Sequence, residues 1–500
     1  MSIILDRKLP TTFSILETDA NKKAADCLIL GVSHGNKLIP SSLKLTKSAL
    51  SFLQTHLKLS NFEAKIGQVL MLYGVPDVKA SSALIVGCGK LNELDEAHYK
   101  SIYVHMLKAL TAARIKTAIC SLNQLAIKAR DVEWGTHFAI ETICNELYDF
   151  AYFKSKVEKA KLAEIQFVVP SKEQRKQSQF IEQAQIIAEA TRFAKDLGNL
   201  PANICTPSYM ARQALSFKAL SKKVKVEILD REKLQEIGAN CILAVAQGSA
   251  EPCQFITMHY QGGKKNEAPT VLVGKGVSFD TGGICIKTRD NMNMMKMDMC
   301  GAATVMAVFA AAVKLNLPIN LIAVAPCVEN MPDGKAYRPG DIIRSLSGQT
   351  IEVLDTDAEG RLILCDALTY CERFEPACVI DVATLTGAIV VALGQHYTGL
   401  YGNNDPLIHA LLKAGKQSDD LAWQMPISDE YQKQIDSKIA DMANLGGPYG
   451  GSITAACFLA RFTKKYHWAH LDVAGTAMSK DGARGRPVGL LIQYLLTKVE

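Results

Sequence analysis

From Lys275 to Arg361 the sequence collects acids and bases in three blocks that could hold a divalent ion beside a substrate. The first, Gly274-Lys275-Gly276-Val277-Ser278-Phe279-Asp280-Thr281-Gly282-Gly283, continues the apolar run 271–273. An apolar strand there would deliver Lys275 and Asp280 to its carboxyl end, where open α/β sheets bind ligands, and the glycines would let backbone approach a ligand. The GxxxxGK[ST] pattern of a phosphate loop is not matched, which sets nucleotide binding aside. The second block, Met294-Met295-Lys296-Met297-Asp298-Met299-Cys300-Gly301, holds one acid. Alone, Asp298 reads as a helix cap. The third block changes the balance. In Ile351-Glu352-Val353-Leu354-Asp355-Thr356-Asp357-Ala358-Glu359-Gly360-Arg361 an apolar strand runs into three acids within five residues and then an arginine. Crowding acids where a strand ends is costly unless a cation gathers them, and oxygen donors suit hard or borderline divalent ions. Asp280, Asp298, Asp357 and Glu359 carry four negative charges when ionised, the number that two divalent cations neutralise.

The elements that must position these blocks follow from periodicity. Apolar runs at 27–32, 68–74, 83–87, 117–122 and 165–170 read as strands, and 96–114 and 132–145 as helices, an α/β alternation. Gly87-Cys88-Gly89 has two glycines of a dinucleotide loop without the third, and reads as a tight strand-to-helix turn. The polar stretch 171–179, SKEQRKQSQ, reads as a solvated connector. Apolar residues at 186, 190, 193 and 197 put a helix over 180–197, ended by Asn199 and Pro201. Beyond it, strands are expected at 224–229, 255–259, 271–274, 319–325, 351–354 and 379–383. Helices are expected at 302–315, 362–373 and 452–462. No internal repeat stands out.

Bulk properties narrow the class. The 500 residues suffice for two to four domains, and 48% apolar with 21% charged is a globular composition. A net charge of +6 is too small for this length to argue for a nucleic-acid partner. The 14 cysteines form no CxxC pair and no zinc-finger spacing. Cys88, Cys120, Cys285, Cys327 and Cys457 lie in apolar runs, where reduced thiols pack as small hydrophobes, a usage that suits a reducing compartment. The opening MSIILDRKLPTTF lacks the features of a signal peptide. The most apolar stretches, such as 301–313, fall short of a membrane span. The expected location is cytoplasmic.

GKGVSFDTGG, MKMDMCGAA and DTDAEGRL resemble motifs of the cytosolic leucyl aminopeptidase family. Further family-like segments follow in order: DLGNLPANICTP from Asp196, ENMPDGKAYRPGD from Glu329, DVATLTGA from Asp381, GGPYGGSITAA from Gly446, then LDVAGTA and GRPVG. The likeness spans about residues 180–495; the N-terminal region matches in size and α/β character. It implies an N-terminal α/β (macro-like) domain over 1–170, a connector and linking helix over 171–198, and a larger α/β catalytic domain over 199–500 with a mixed central sheet flanked by helices. It implies removal of N-terminal, leucine-like residues from peptides by water activated at two metals, Mn²⁺ or Zn²⁺. Carried onto this chain, the metal ligands are Lys275, Asp280, Asp298, Asp357 and Glu359, with Lys275 a neutral amine. Asp280 and Glu359 would touch both ions, Asp357 one, Lys275 and Asp298 the other. Lys287 and Arg361 would be catalytic without binding metal, bicarbonate sitting at Arg361. Met295, Thr384 and Gly387 fall where the family lines its first substrate pocket. A homohexamer is also implied. The chain departs from the family at Asp355, where Asn is usual; as a turn residue Asp serves as well.

Other readings stay open on the residues alone. Lys287 reads equally as a surface lysine and Arg361 as a structural ion-pair partner. A phosphoesterase could use Lys275, Lys287 and Arg361 on phosphate. Some bacterial relatives bind DNA, and Lys154, Lys156, Lys159, Lys161, Lys172, Arg175 and Lys176 supply basic charge. Acids interleave there, as at Glu158 and Glu164, and no aromatic residues are set among them for stacking, so DNA binding is possible without support from the sequence.

Overall fold

The computed structural model describes residues 7–16, 22–128, 130–156, 162–170 and 172–499. The chain forms two compact units, residues 8–189 and residues 190–500, the second also taking in Arg7.

The N-terminal unit is built on a sheet of β1 (Thr12–Ile15), β2 (Cys27–Ser33), β3 (Lys37–Leu38), β4 (Val69–Tyr73), β5 (Ser82–Gly87), β6 (Thr117–Cys120) and β7 (Glu164–Phe167). The order is β1-β7-β6-β2-β5-β4, with β3 beside β2. β2 runs parallel to both β5 and β6, and only β3 and β4 pair antiparallel. β2 and β5 are buried along nearly their whole length, so they read as continuous apolar runs rather than alternating ones. Helices Glu96–Ala112 and Val132–Glu146 start at Asp95 and Asp131, whose carboxylates accept the N–H of His98 and Trp134. Gly89 takes φ +65° in the turn after β5, the tight-turn role expected of it. The expected solvated connector 171–179 is a correction: a helix, Gln174–Asn199, begins inside it. Polar residues lack an apolar stripe to announce a helix, yet Gln and Lys form one readily once the following turns pack. Lys176 there pairs with Glu133 and lies over the Phe180 ring. Glu158, Lys159 and Lys161 lie outside the described residues.

The second unit carries a mixed sheet ordered β17-β16-β19-β15-β10-β12-β9-β8, with β11 also on β12. The strands are β8 (Val224–Leu229), β9 (Gln254–Gln261), β10 (Thr270–Gly274), β11 (Gly276–Asp280), β12 (Asn320–Asn330), β15 (Cys378–Ala383), β16 (Thr398–Gly402), β17 (Ala422–Gln424) and β19 (Trp468–Asp472). A small sheet, β13 (Ile342–Arg344), β14 (Thr350–Glu352) and β18 (Met442–Ala443), stands beside it. Around β10 the neighbours β12 and β15 are parallel, which directs the loops after β10, β12, β15 and β19 to one edge. Val271 and Val273 of β10 share a core cluster with Leu362 and Leu368 of helix Glu359–Cys371. Helix Cys300–Lys314 also packs on β10, β12 and β15.

The strand expected at 271–274 is β10, which delivers Lys275 at its carboxyl end; a second strand that was not expected, β11, follows and ends on Asp280. β10 pairs with the first half of the long β12, and β11 with its second half, Gly276 opposite Cys327. The helical run Met292–Lys314 does have the length and composition of a membrane span, though 94% of its most apolar window is buried within the protein. A helix apolar on all sides is what a core position requires. None of the 14 cysteines forms a disulfide, and all are buried except Cys144 and Cys285. Cys285, expected in the core, is half-buried because its loop lies at the sheet edge.

Candidate metal centre

The three blocks meet at that edge. Lys275 follows β10, Asp280 ends β11, Glu359 opens helix Glu359–Cys371, and Asp298 closes the single-turn stretch Met292–Met297 before helix Cys300–Lys314. Asp298 makes no cap for that helix. Its Oδ1 and Oδ2 lie 2.9 and 2.8 Å from Lys275 Nζ. The same amine lies 2.8 Å from Glu359 Oε1 and donates to the Thr384 carbonyl at 3.0 Å. Lys287 Nζ forms a second centre, 2.8 Å from Asp280 Oδ2 and against Asp357 Oδ1. Lys275, Asp280, Asp298 and Glu359 are each 4% exposed or less, whereas the Asp357 side chain is 34% exposed. Gly360 makes room for this packing: a Cβ there would stand 2.6 Å from Lys275 Cε.

The charges do not balance. Four carboxylates face two ammonium groups and the guanidinium of Arg361. Burial, then repulsion from Asp280 and Glu359, pushes the Asp357 carboxyl up to about 7 despite Lys287. Asp298 and Glu359 are raised for the same two reasons, although Lys275 opposes the rise. Burial disfavours charge on Lys275, but Asp298, Glu359 and Asp280 outweigh it and raise its pKa. So the acids alone hold Lys275 as an ammonium. The neutral amine expected of it requires dications to cancel those acids. Arg361 is buried, which lowers its pKa to about 10 against the pull of Glu359, Asp472 and Asp355.

The donor set fits divalent ions. One oxygen each from Asp280, Asp357 and Glu359 lie within 4.8 Å of one another. Glu359 Oε2 is buried without a hydrogen-bond partner. Asp298 Oδ2, though close to Lys275, has no hydrogen bond of acceptable geometry. Buried acceptors left bare in an acidic cluster are what a cation would satisfy. Another group, Cys241, Cys365 and Asp366, also lies within 4.8 Å. There both Asp366 oxygens accept backbone N–H groups, from Cys241, Ile242 and Leu346, so that acid serves as an anchor.

The remaining expected residues fall as follows. Arg361 donates from Nη1 to the Asn444 carbonyl at 2.7 Å, and its buried Nε has no partner. The Thr384 hydroxyl donates to Asp298 Oδ1 at 2.7 Å. The Met295 carbonyl accepts the Asp298 N–H at 3.3 Å, leaving its side chain half-buried one turn away. Gly387 is exposed at the start of helix Gly387–Leu393, whose N-cap, Thr386, is held by Asp472 through a 2.6 Å hydroxyl bond. Asp355 accepts the Asp357 N–H at 2.9 Å through Oδ1, an Asx turn.

Sequence reasoning did not single out Asn330, Thr356, Tyr337 or Asn444. Asn330 donates to both Asp280 Oδ1 and the Thr356 carbonyl, which also accepts from Tyr337. The Thr356 hydroxyl donates to the Gly282 carbonyl at 2.6 Å, where Gly282 has φ +86°. Asn330 and Tyr337 lie in the ENMPDGKAYRPGD segment, so the signal was present without a role attached.

Comparison with known proteins identifies the family. The catalytic-domain model of the cytosol aminopeptidase family matches residues 192–492, and the family's N-terminal-domain model matches 29–157. The cytosol aminopeptidase of Pseudomonas aeruginosa PAO1 is 49% identical over 478 residues, covering 95% of this chain and 97% of its own. The probable cytosol aminopeptidase of Thioalkalivibrio sulfidiphilus is 47% identical over 492 residues, covering 97% and 99%. Among solved structures, the bottromycin maturation enzyme BotP superposes with a TM-score of 0.82 at 30% identity, over 95% of this chain and 100% of that one; a second BotP structure, in complex with Mn, superposes equally. With both domains matched in order and relatives nearly half identical end to end, this chain belongs to the cytosol aminopeptidase family and is a peptide-hydrolysing aminopeptidase.

Proposed function

We propose that the enzyme removes N-terminal residues, leucine-like ones preferentially, using two divalent ions held by Lys275, Asp280, Asp298, Asp357 and Glu359. The observation that carries this reading is the unbalanced acidic cluster around Glu359. That residue contacts the Lys275–Asp298 group through Oε1, lies within reach of Asp280 and Asp357, and keeps Oε2 bare. Mn²⁺ is a candidate because BotP, similar in fold, has been solved in complex with Mn; Zn²⁺ suits the same donors. Bound divalent ions supply an acidified water and polarise the peptide carbonyl.

The chain's own groups do the rest. Lys287, less buried than Lys275, donates to the oxygen of the attacked carbonyl as negative charge gathers there. Arg361 offers a buried, unpartnered Nε that could hold a small anion, and bicarbonate there would supply a proton shuttle between water and the leaving amine. Met295, Thr384 and Gly387, two of them small, line an apolar pocket for the first side chain. A free amino terminus is required because it is the group that the acidic cluster anchors; an internal peptide brings none. Self-association as a homohexamer belongs to the same reading, supported by membership of the family. The relatives' names support the cytoplasm as its compartment.

Side-by-side assays test the substrate class. Leucyl-anilide should be hydrolysed and a phosphate ester left intact. Turnover of the ester alone would replace this reading with a phosphoesterase.

A further inference from the structure

Asn444 is 0% exposed and spends every polar atom it has around the third acid block. It follows β18, which runs parallel to β14 with Ile351 opposite Met442 and Glu352 opposite Ala443. Its N–H continues that ladder, donating to the Glu352 carbonyl at 2.9 Å. Where β14 stops, the side chain takes over. Oδ1 accepts from the N–H of Leu354 at 2.8 Å and of Asp355 at 3.3 Å, while Nδ2 donates to the Asp355 carbonyl at 2.6 Å. Its own carbonyl accepts Nη1 of Arg361 at 2.7 Å.

One buried residue therefore joins the chain entering the acid loop, through its side-chain amide, to the guanidinium beyond it, through its main-chain carbonyl. Thr356 is held from the other side by Asn330, Tyr337 and Cys285. Asp357 lies just past both anchors, and its Asx turn hangs on Asp355. The amide accepts from two N–H groups through its oxygen and donates to a carbonyl through its nitrogen. An alanine would strand three backbone groups, and an aspartate would set a carboxylate against the Asp355 carbonyl.

We propose that Asn444 is a positioning residue that sets the acid loop and Arg361 in register, and so tunes divalent-ion affinity and turnover; this rests on reading the cluster as a divalent-ion site. Groups that orient ligands from behind typically affect metal affinity or activity by about 10–100-fold. The test uses the full chain stripped of metal by a chelator. Mn²⁺ is titrated calorimetrically, thermal melting is recorded, and leucyl-anilide kinetics are measured after Mn²⁺ is restored. N403A serves as the control: Asn403 bonds to Thr463, Tyr466 and Trp468 in the same unit and touches nothing in the site. N444A should bind Mn²⁺ about 10–100-fold more weakly and lose kcat with KM little changed. N403A should move only the melting temperature. Should N444A fail to fold, the isosteric N444D, which keeps the acceptor and loses the donor, is titrated instead and should also bind more weakly. Wild-type Mn²⁺ affinity in the folded variant overturns the proposal. Absence of Mn²⁺ binding to the wild-type chain overturns the reading of the cluster itself.

Discussion

Lys287 reaches the cluster from the loop after Asp280 and stands between the carboxylates of Asp280 and Asp357 with its side chain 23% exposed. Burial opposes its charge, and Asp280, Glu359 and Asp357 more than offset that, so among the acids alone it is an ammonium, a form that donates. Lys287→Ala is expected to lower kcat by about 10²–10³, the cost of losing one oxyanion donor, with Mn²⁺ content intact. Retained turnover would remove Lys287 from that role. Asp355 carries the opposite expectation. Its task is to accept the Asp357 N–H through Oδ1, and an Asn carbonyl oxygen does the same, so the departure from the family's usual residue keeps the turn. D355N should leave kcat/KM within about twofold, the range of a substitution that preserves its hydrogen bond. A tenfold change would mean that the extra charge acts on the site.

At the scale of elements, β15 and β19 carry a buried ion pair behind the site. Asp381 lies opposite His470 in register, and their side chains are 2.6 Å apart, with Trp468 Nε1 donating to the other Asp381 oxygen. Burial lowers the His470 pKa, but Asp381, by charge and hydrogen bond, and Asp472 outweigh it, so the folded-state pKa is raised. A raised histidine stabilises fully below its unfolded value near 6.5, and the contribution is lost as pH rises through the folded value. Melting temperature measured from pH 6 upward should therefore fall, and the double variant D381N/H470Q, which removes both charges, should fall less steeply. Equal slopes would deny the pair any pH-linked role. The acid block was readable in the sequence because its acids are local: Asp355, Asp357 and Glu359 share one turn, and a buried strand leads into them. The end of β10 at Gly274 was readable from Gly274-Lys275-Gly276, but the second strand, β11, was not, because only its pairing with the far half of β12 makes it one. Nor was Asn444, which reaches the loop through the β14–β18 pairing, a contact about ninety residues long-range that spacing cannot reveal.

Across the whole molecule, net charge is +6, yet the cluster of Asp280, Asp357 and Glu359 is negative. Bulk charge thus said little about function, and the local excess of carboxylates said most. The α/β class of both units could be read from strand–helix alternation, while the order of strands that brings four loops to one edge could not, since it depends on pairings between distant segments. The account stands or falls on whether those carboxylates gather divalent ions for hydrolysis. The most direct measurement is leucyl-anilide hydrolysis by chelator-treated protein before and after Mn²⁺ or Zn²⁺ is restored, with bound metal counted on the same samples. The expected result is loss of activity on chelation and recovery as two ions per chain return. Full activity in protein shown to be free of metal would contradict it.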